Sequence, residues 1–128
     1  FYMNEFSAAI GLAQLASLDK MNKKRLKVAA RFHREFNLEQ KMPVHKDAVY
    51  HFYWILVKDR DKFRKKLSES GIETGIHYKP VHKMSMYKNN CKLPVTEKVS
   101  HEIVTLPTHP NLTDDDTSKI IECVNRFC

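Results

Sequence analysis

The stretch that decides the fold is residues 6–18, Phe-Ser-Ala-Ala-Ile-Gly-Leu-Ala-Gln-Leu-Ala-Ser-Leu. Alanine, leucine, glutamine, lysine and arginine favour an α-helix, and they dominate residues 3–36, which are predicted as one long helix or two with a bend. Apolar side chains surround its first part on almost every side, whereas from Met21 onward they form a single stripe. A helix that is apolar all round must be covered all round. Residues 6–18 therefore predict an interface with another domain or another subunit.

Beyond this helix, the chain alternates short strands and helices. A polar link, residues 37–47, is followed by residues 50–57, whose aromatic and β-branched side chains predict a strand. The acidic and basic residues 59–61 open a helix, and Gly71 closes it. Residues 72–78 predict a second strand.

The second half of the chain also alternates helices and strands. We interpret residues 83–93 as an irregular or briefly helical loop, with Asn89 and Asn90 in a turn. A short helix over residues 96–101 leads to a third strand, residues 103–106. Residues 113–116, Thr-Asp-Asp-Asp, form an N-cap with an acidic first turn and begin the last helix.

This order predicts an α+β fold: a long N-terminal helix plus a small three-stranded, mainly antiparallel sheet covered by helices. Residues 1–36 would link to a large domain and a dimer interface, and residues 37–128 would form the small α+β domain, as one structural unit with the helix. The chain begins in an apolar segment without methionine. We interpret it as a fragment of a longer parent protein.

Composition limits the possible functions. The chain has 128 residues, a net charge of +7 and a pI near 9.4, but its basic residues are spread along helix faces, which argues against a nucleic-acid surface. No apolar run is long enough to span a membrane. Three cysteines without paired spacing favour a reducing, cytoplasmic location, and the seven histidines show no metal-binding pattern, so no metal site is expected.

The chemistry-bearing residues concentrate in residues 71–82, Gly-Ile-Glu-Thr-Gly-Ile-His-Tyr-Lys-Pro-Val-His. While the chain is extended, His77 and Tyr78 would point to opposite faces, and Pro80 must then turn it away from any central strand. A turn that brings His82 back beside His77 or Tyr78 would gather donors for a polar, anionic ligand. No complete catalytic set accompanies them. We interpret His51 and Trp54 as strand-core residues and His109, between two prolines, as a residue that structures its loop.

Several segments resemble the DegT/DnrJ/EryC1/StrS sugar aminotransferases, over nearly the whole chain and in the order of that family. The segments that carry the resemblance are Met3-Asn4-Glu5-Phe6-Ser7-Ala8-Ala9-Ile10-Gly11-Leu12-Ala13-Gln14-Leu15, Gly71-Ile72-Glu73-Thr74, His77-Tyr78-x-Pro80-x-His82 and Leu106-Pro107-x-His109-Pro110-x-Leu112-Thr113. What they resemble is the C-terminal part of such an enzyme.

The resemblance implies a parent enzyme of fold type I that uses pyridoxal 5′-phosphate. It would transfer an amino group from an amino acid, usually glutamate, to a nucleotide-linked keto sugar, and would work as a homodimer. In the family, the cofactor lysine lies in the large N-terminal domain, so this chain alone is expected to be inactive, with no catalytic or cofactor-binding residue and no bound cofactor. His77, Tyr78 and His82 would bind the nucleotide sugar. Tyr2, which stands where many members have arginine, is the fourth predicted substrate-binding residue.

Two other classes of function stay open. The chain could be a basic α+β nucleic-acid module that stacks bases on Phe52, Tyr53 and Trp54, although adjacent aromatic residues do not share one exposed face. It could also be an oligomerisation module whose apolar helix is the functional element.

Overall fold

The computed structural model describes residues 2–87 and 91–128. The predicted turn at Asn89 and Asn90 lies outside the described residues. In the described ranges, none of the helices combines the length and apolarity that a membrane crossing requires.

The predicted long helix is confirmed as α1, Glu5–Glu35. It begins at Asn4, whose side chain accepts a hydrogen bond from the Ser7 amide at 2.8 Å, and the acidic Glu5 in its first turn favours the positive helix end. Its two halves have different surroundings. Val28, Ala29 and Phe32 in the second half are buried in the core, whereas almost all of the first half is exposed.

The sheet has two antiparallel strands, β1 (Tyr53–Leu56) and β2 (Ile103–Leu106), paired in the described residues from Tyr53 opposite Leu106 to Leu56 opposite Ile103. Both strands were predicted, as parts of a sheet expected to be mainly antiparallel. Tyr53 and Ile55 point into the core, and isolated bridges extend the sheet by single residues at each edge, at Lys41 against Ile55 and at Gly75 against Thr105.

The prediction of a strand over residues 72–78, the second of the three expected strands, was wrong. Gly75 exchanges two backbone hydrogen bonds with Thr105, of 3.0 and 2.9 Å, and the pairing goes no further. The neighbouring backbone groups are bound to helix α2 (Arg60–Glu69) instead: the Ile72 amide donates to the Leu67 carbonyl, and the Thr74 carbonyl accepts from the Arg64 guanidinium. A segment whose polar backbone groups already have these partners cannot form a continuous ladder.

The remaining helices cover the sheet. Helix α2 ends at Ser70, and Gly71 adopts a positive φ of 76°, as the C-terminal glycine predicted. Two 3₁₀ turns, Val81–Lys83 and Ser85–Tyr87, precede α3 (Pro94–Glu102), which contacts β1.

Helix α4 (Asp114–Phe127) begins with the predicted N-cap. The Thr113 side chain accepts from the Asp116 amide, and the Asp116 carboxylate accepts from the Thr113 amide, which is a capping box. Helix α4 packs against both α1 and α2 and closes the core. The core residues are Val28, Ala29, Phe32, Phe36, Tyr50, Tyr53, Ile55, Phe63, Leu67, Ile72, Val104, Leu106, Ile120, Ile121 and Val124.

Candidate functional site

The His77 ring is held by a hydrogen bond at one nitrogen and by a stacking contact on one face. Its Nδ1 atom is hydrogen-bonded to the Thr105 Oγ1 atom at 2.7 Å, and its ring stacks on Phe52 with centroids 5.0 Å apart and planes 11° from parallel. Thr105 is buried in β2, and Phe52 immediately precedes β1. The sheet therefore fixes the position of this imidazole, and Nε2 is the nitrogen left to meet a ligand.

Tyr78 lies beside His77 but is far more open. The two rings meet edge to face with centroids 4.7 Å apart across a cis peptide bond, and Tyr78 is 70% exposed. Tyr78 and Pro80 line a pocket of about 290 Å³ together with Val95, Thr96 and Val99 of α3. The structure thus brings His77 and Tyr78 together in the lining of a mostly apolar pocket.

His82 has a different environment. Its side chain is only 8% exposed, and its Nε2 atom lies 3.1 Å from the Glu97 Oε1 atom. The same carboxylate accepts from the Leu93 amide and from Lys83, and these hydrogen bonds, led by the Leu93 amide, lower the pKa of Glu97 to about 2. Since an ionised carboxylate only accepts, the Nε2 atom of His82 carries the proton in this pair. His82 therefore faces α3.

Tyr2 precedes α1 and is fully exposed. Of the four predicted substrate-binding residues, the structure joins two, His77 and Tyr78, by a direct ring contact. His82 lies on the same loop and binds Glu97, and Tyr2 lies at the exposed end of the long helix. Their roles in substrate binding stay predictions.

A larger cleft, of about 610 Å³, opens on the other side of His77. It is lined by His51, His109 and Lys119, with Thr74 and Thr105 at its wall. The interpretation of His51 as a strand-core residue was wrong, because this residue precedes β1 and is exposed. No sequence pattern connects His51, His77 and His109, which come together through the pairing of β1, β2 and Gly75.

Two other possibilities can be compared with the described residues. Tyr53 is fully buried, so it offers no face on which a nucleic-acid base could stack. Among residues 2–87 and 91–128, no group of three or more histidine, cysteine or acidic side chains could hold a metal ion.

The first half of α1 is a second candidate site, for protein rather than for a small ligand. Phe6 is 83% and Leu15 is 64% exposed, and Ile10 and Leu12 are equally open. Large apolar side chains that lie together on one exposed helix usually mark an interface. We call residues 6–18 of α1 the apolar helix surface.

Comparison with known proteins gives the chain its relatives. It is 29% identical over 127 residues to a dTDP-4-dehydro-2,3,6-trideoxy-D-glucose 4-aminotransferase of Saccharopolyspora spinosa, covering 93% of this chain and 33% of that protein. It is 32% identical over 132 residues to a dTDP-3-amino-3,6-dideoxy-alpha-D-galactopyranose transaminase of Aneurinibacillus thermoaerophilus, covering 98% of this chain and 36% of that one. The chain thus spans about a third of the length of these relatives.

Solved structures of similar proteins share the fold. The S. venezuelae DesV, crystallised with a ketimine intermediate, has a TM-score of 0.89 and 28% identity, over 97% of this chain and 36% of that one. Helicobacter pylori PseC, an aminotransferase in pseudoaminic acid biosynthesis, has a TM-score of 0.87 and 28% identity, over 99% and 38%. The sequence profile of the DegT/DnrJ/EryC1/StrS aminotransferase family matches residues 1–125. The chain therefore belongs to the DegT/DnrJ/EryC1/StrS aminotransferase family.

Proposed function

We propose that this chain is the C-terminal part of an enzyme that transfers an amino group from an amino acid, glutamate being the expected donor, to a nucleotide-linked keto sugar. This part contributes substrate-binding residues and interface residues. The relatives from Saccharopolyspora spinosa and Aneurinibacillus thermoaerophilus are named for dTDP-linked sugars, and the chain spans about a third of their length. The observation that carries the proposal is the exposed apolar helix surface, which needs protein to cover it.

The apolar helix surface would be covered by the large domain of the same enzyme and by a second copy in a homodimer. The second half of α1 holds the helix on the small domain through Val28, Ala29 and Phe32. Between the halves lies Arg25, whose Nε atom is buried and has no hydrogen-bond partner among the described residues. Because a buried donor without an acceptor is costly, the covering protein would also supply an acceptor here.

His77 and Tyr78 would orient the nucleotide sugar. An imidazole held at Nδ1 and an exposed phenol can donate hydrogen bonds to hydroxyl and diphosphate oxygens. Tyr2, at the exposed end of α1, would reach the same substrate from the interface. These residues bind and orient the substrate, and proton transfer at the reacting carbon is left to residues outside this chain.

Pyridoxal 5′-phosphate supplies the electron sink for transamination when it is bound in such an enzyme. Among the residues that the structure describes, the polar groups of the cleft do not fit this cofactor. Of the polar groups that line the 610 Å³ cleft, Lys119 and Glu73 are exposed, and the Asp116 carboxylate already accepts from the Thr113 amide and hydroxyl. A cofactor site needs an enclosed lysine and a carboxylate free to pair with the ring nitrogen. Those groups would come from the rest of the parent protein.

The test is to produce the longest polypeptide that the gene encodes and, separately, this 128-residue chain. We expect the long form to bind pyridoxal phosphate, seen as visible absorbance, and to aminate dTDP- or GDP-linked keto sugars with glutamate, followed by mass spectrometry. Leu15→Glu in the long form should weaken domain or subunit association, whereas Glu122→Gln, an exposed change on α4, should not. A long form that binds no cofactor, or that leaves every keto sugar unchanged, would refute the proposal.

A further inference from the structure

Three hydrogen bonds meet at the Glu97 carboxylate. Its Oε1 atom lies 3.1 Å from the His82 Nε2 atom and 3.2 Å from the Leu93 amide, and its Oε2 atom lies 3.2 Å from the Lys83 Nζ atom. His82 and Lys83 belong to the 3₁₀ turn Val81–Lys83, whereas Glu97 is in the first turn of α3 and Leu93 is its N-cap. One side chain therefore fastens the loop that carries His77 and Tyr78 to the beginning of a helix.

We call the contacts of Glu97 with His82 and Lys83 the junction, and two cavities near it share Pro80 and Ser100 in their linings. The 290 Å³ pocket is lined by Tyr78 and Pro80 of the loop and by Val95, Thr96 and Val99 of α3. A cleft of about 440 Å³ is lined by Lys79, Pro80 and Lys83 of the loop and by Glu97, Ser100 and His101 of α3. Because loop residues and α3 residues line both cavities, a shift of the loop relative to α3 would change the shape of both.

The Glu97 carboxylate, with His82 and Lys83 around it, holds the 3₁₀ turn Val81–Lys83 against α3. Glu97 is partly shielded, with 31% of its side chain exposed, while His82 is almost completely enclosed. A carboxylate that accepts from a backbone amide, an imidazole and an ammonium group makes charge-assisted hydrogen bonds, which are stronger than neutral ones, and here three of them, of 3.1–3.2 Å, act together. If Glu97 were removed, His82 would be left as a buried donor without this acceptor, which destabilises the position of the turn.

We propose that Glu97 is a positioning residue of the substrate site: it holds the turn of His82 and Lys83 against α3 and so fixes Tyr78 and Pro80 at the distance that the nucleotide sugar requires. The proposal rests on the proposed function. Glu97 does not touch the substrate. It acts through His82, whose bonded Nε2 atom is directed at α3 and not at a ligand.

The decisive experiment compares Glu97→Ala, Glu97→Gln, His82→Ala and the double variant in the long form of the enzyme. We expect Glu97→Ala to raise KM for the nucleotide sugar about tenfold while kcat changes less than about twofold, because ground-state and transition-state binding are lost together. Glu97→Gln keeps an acceptor for His82 and Leu93 and should recover part of the loss. The loss in the double variant should be smaller than the sum of the two single losses, because His82 and Glu97 share one contact.

Glu122→Gln, exposed on α4, is the matched control for removal of one negative charge. An unchanged KM in Glu97→Ala would overturn the proposal, and so would losses from Glu97→Ala and His82→Ala that simply add. A second measurement does not depend on catalysis: hydrogen exchange of the Leu93 amide in the 128-residue chain should accelerate in Glu97→Ala and much less in Glu97→Gln. Unchanged exchange would show that Glu97 does not hold this junction.

The KM measurement and the hydrogen-exchange measurement distinguish failure of the proposed function from failure of the positioning role of Glu97. A wild-type enzyme that aminates no nucleotide sugar refutes the proposed function, and the Leu93 exchange then still decides whether Glu97 fixes the turn. An active wild type whose Glu97 variants keep the wild-type KM refutes the positioning role alone.

Discussion

The Nδ1 atom of His77 lies 2.7 Å from the Oγ1 atom of Thr105, and this hydrogen bond ties an exposed loop to a buried strand. Thr105 also exchanges both of its backbone hydrogen bonds with Gly75, two residues before His77. The backbone and the side chain of one β2 residue therefore fix the direction from which the His77 ring enters the site. The loop needs no continuous strand pairing to be held in place.

Replacing Thr105 with valine tests this contact. Valine keeps the shape of the side chain but removes the hydroxyl, so the free energy of unfolding should fall by about 1 kcal/mol and the His77 ring should lose its fixed orientation. Urea unfolding measures the first effect, and KM for the nucleotide sugar in the long form measures the second. Thr105→Ser keeps the hydroxyl and is the control. Because serine also loses a buried methyl group, the two variants are compared by KM, and equal KM values would contradict a role for the hydrogen bond.

Position 75 needs glycine because the side chains of Thr105 and His77 lie too close for a Cβ atom. A Cβ atom at this position would lie 2.7 Å from both the Thr105 Oγ1 atom and the His77 Cε1 atom, well inside van der Waals contact. Gly75→Ala should therefore destabilise the chain by about 1–3 kcal/mol, as overpacking does, and should displace the His77 ring. Thermal and urea unfolding measure the cost.

Gly11 provides the opposite case. A Cβ atom there meets nothing within 4 Å, and the residue lies inside α1. Gly11→Ala should be neutral or should stabilise the isolated chain by up to about 1 kcal/mol, since alanine favours a helix over glycine. If Gly11→Ala were as destabilising as Gly75→Ala, the close contacts at residue 75 would not be what distinguishes the two positions.

The sequence predicted the elements whose signals are local. The N-cap at Thr113 and the C-terminal Gly71 placed the ends of α4 and α2, and the apolar residues 103–106 placed β2. A strand was also predicted over residues 72–78. That prediction was wrong because Arg64 binds the Thr74 carbonyl, an arrangement set by α2 and not visible in residues 72–78.

The candidate site was predicted in part, for a similar reason. His77 and Tyr78 are adjacent in sequence, and they are adjacent in space as well. His82 meets Glu97, 15 residues further along, only because the 3₁₀ turn packs against α3. Thr105 gave no signal as a partner of His77, because a threonine in a strand is ordinary.

The two halves of α1 should respond differently to mutation in the isolated chain. Phe32 is fully buried between Phe36 and Tyr53, so Phe32→Ala should reduce the free energy of unfolding by about 3–5 kcal/mol. Leu15 is exposed, so Leu15→Ala should change it by less than about 0.5 kcal/mol. Urea unfolding of both variants checks the contrast. In the long form, Leu15→Ala should become destabilising, and an unchanged stability there would mean that the apolar helix surface stays uncovered.

The acid stability of the chain should depend on Glu97. Its folded-state pKa of about 2 lies below the ordinary value of 4.5, chiefly because the Leu93 amide and then His82 and Lys83 donate to the carboxylate. Its contribution to stability is therefore complete above pH 4.5 and is lost as the pH falls through about 2, where the folded-state carboxylate becomes protonated.

Urea unfolding of wild type and Glu97→Gln across this range isolates that contribution, since the other carboxylates are common to both proteins. The difference in the free energy of unfolding should be constant above pH 4.5 and should shrink steadily towards pH 2. A difference that stays constant down to pH 2 would mean that Glu97 titrates alike in the folded and unfolded states. The three hydrogen bonds at its carboxylate would then not favour the ionised form, and the junction between His82 and α3 would depend on packing alone.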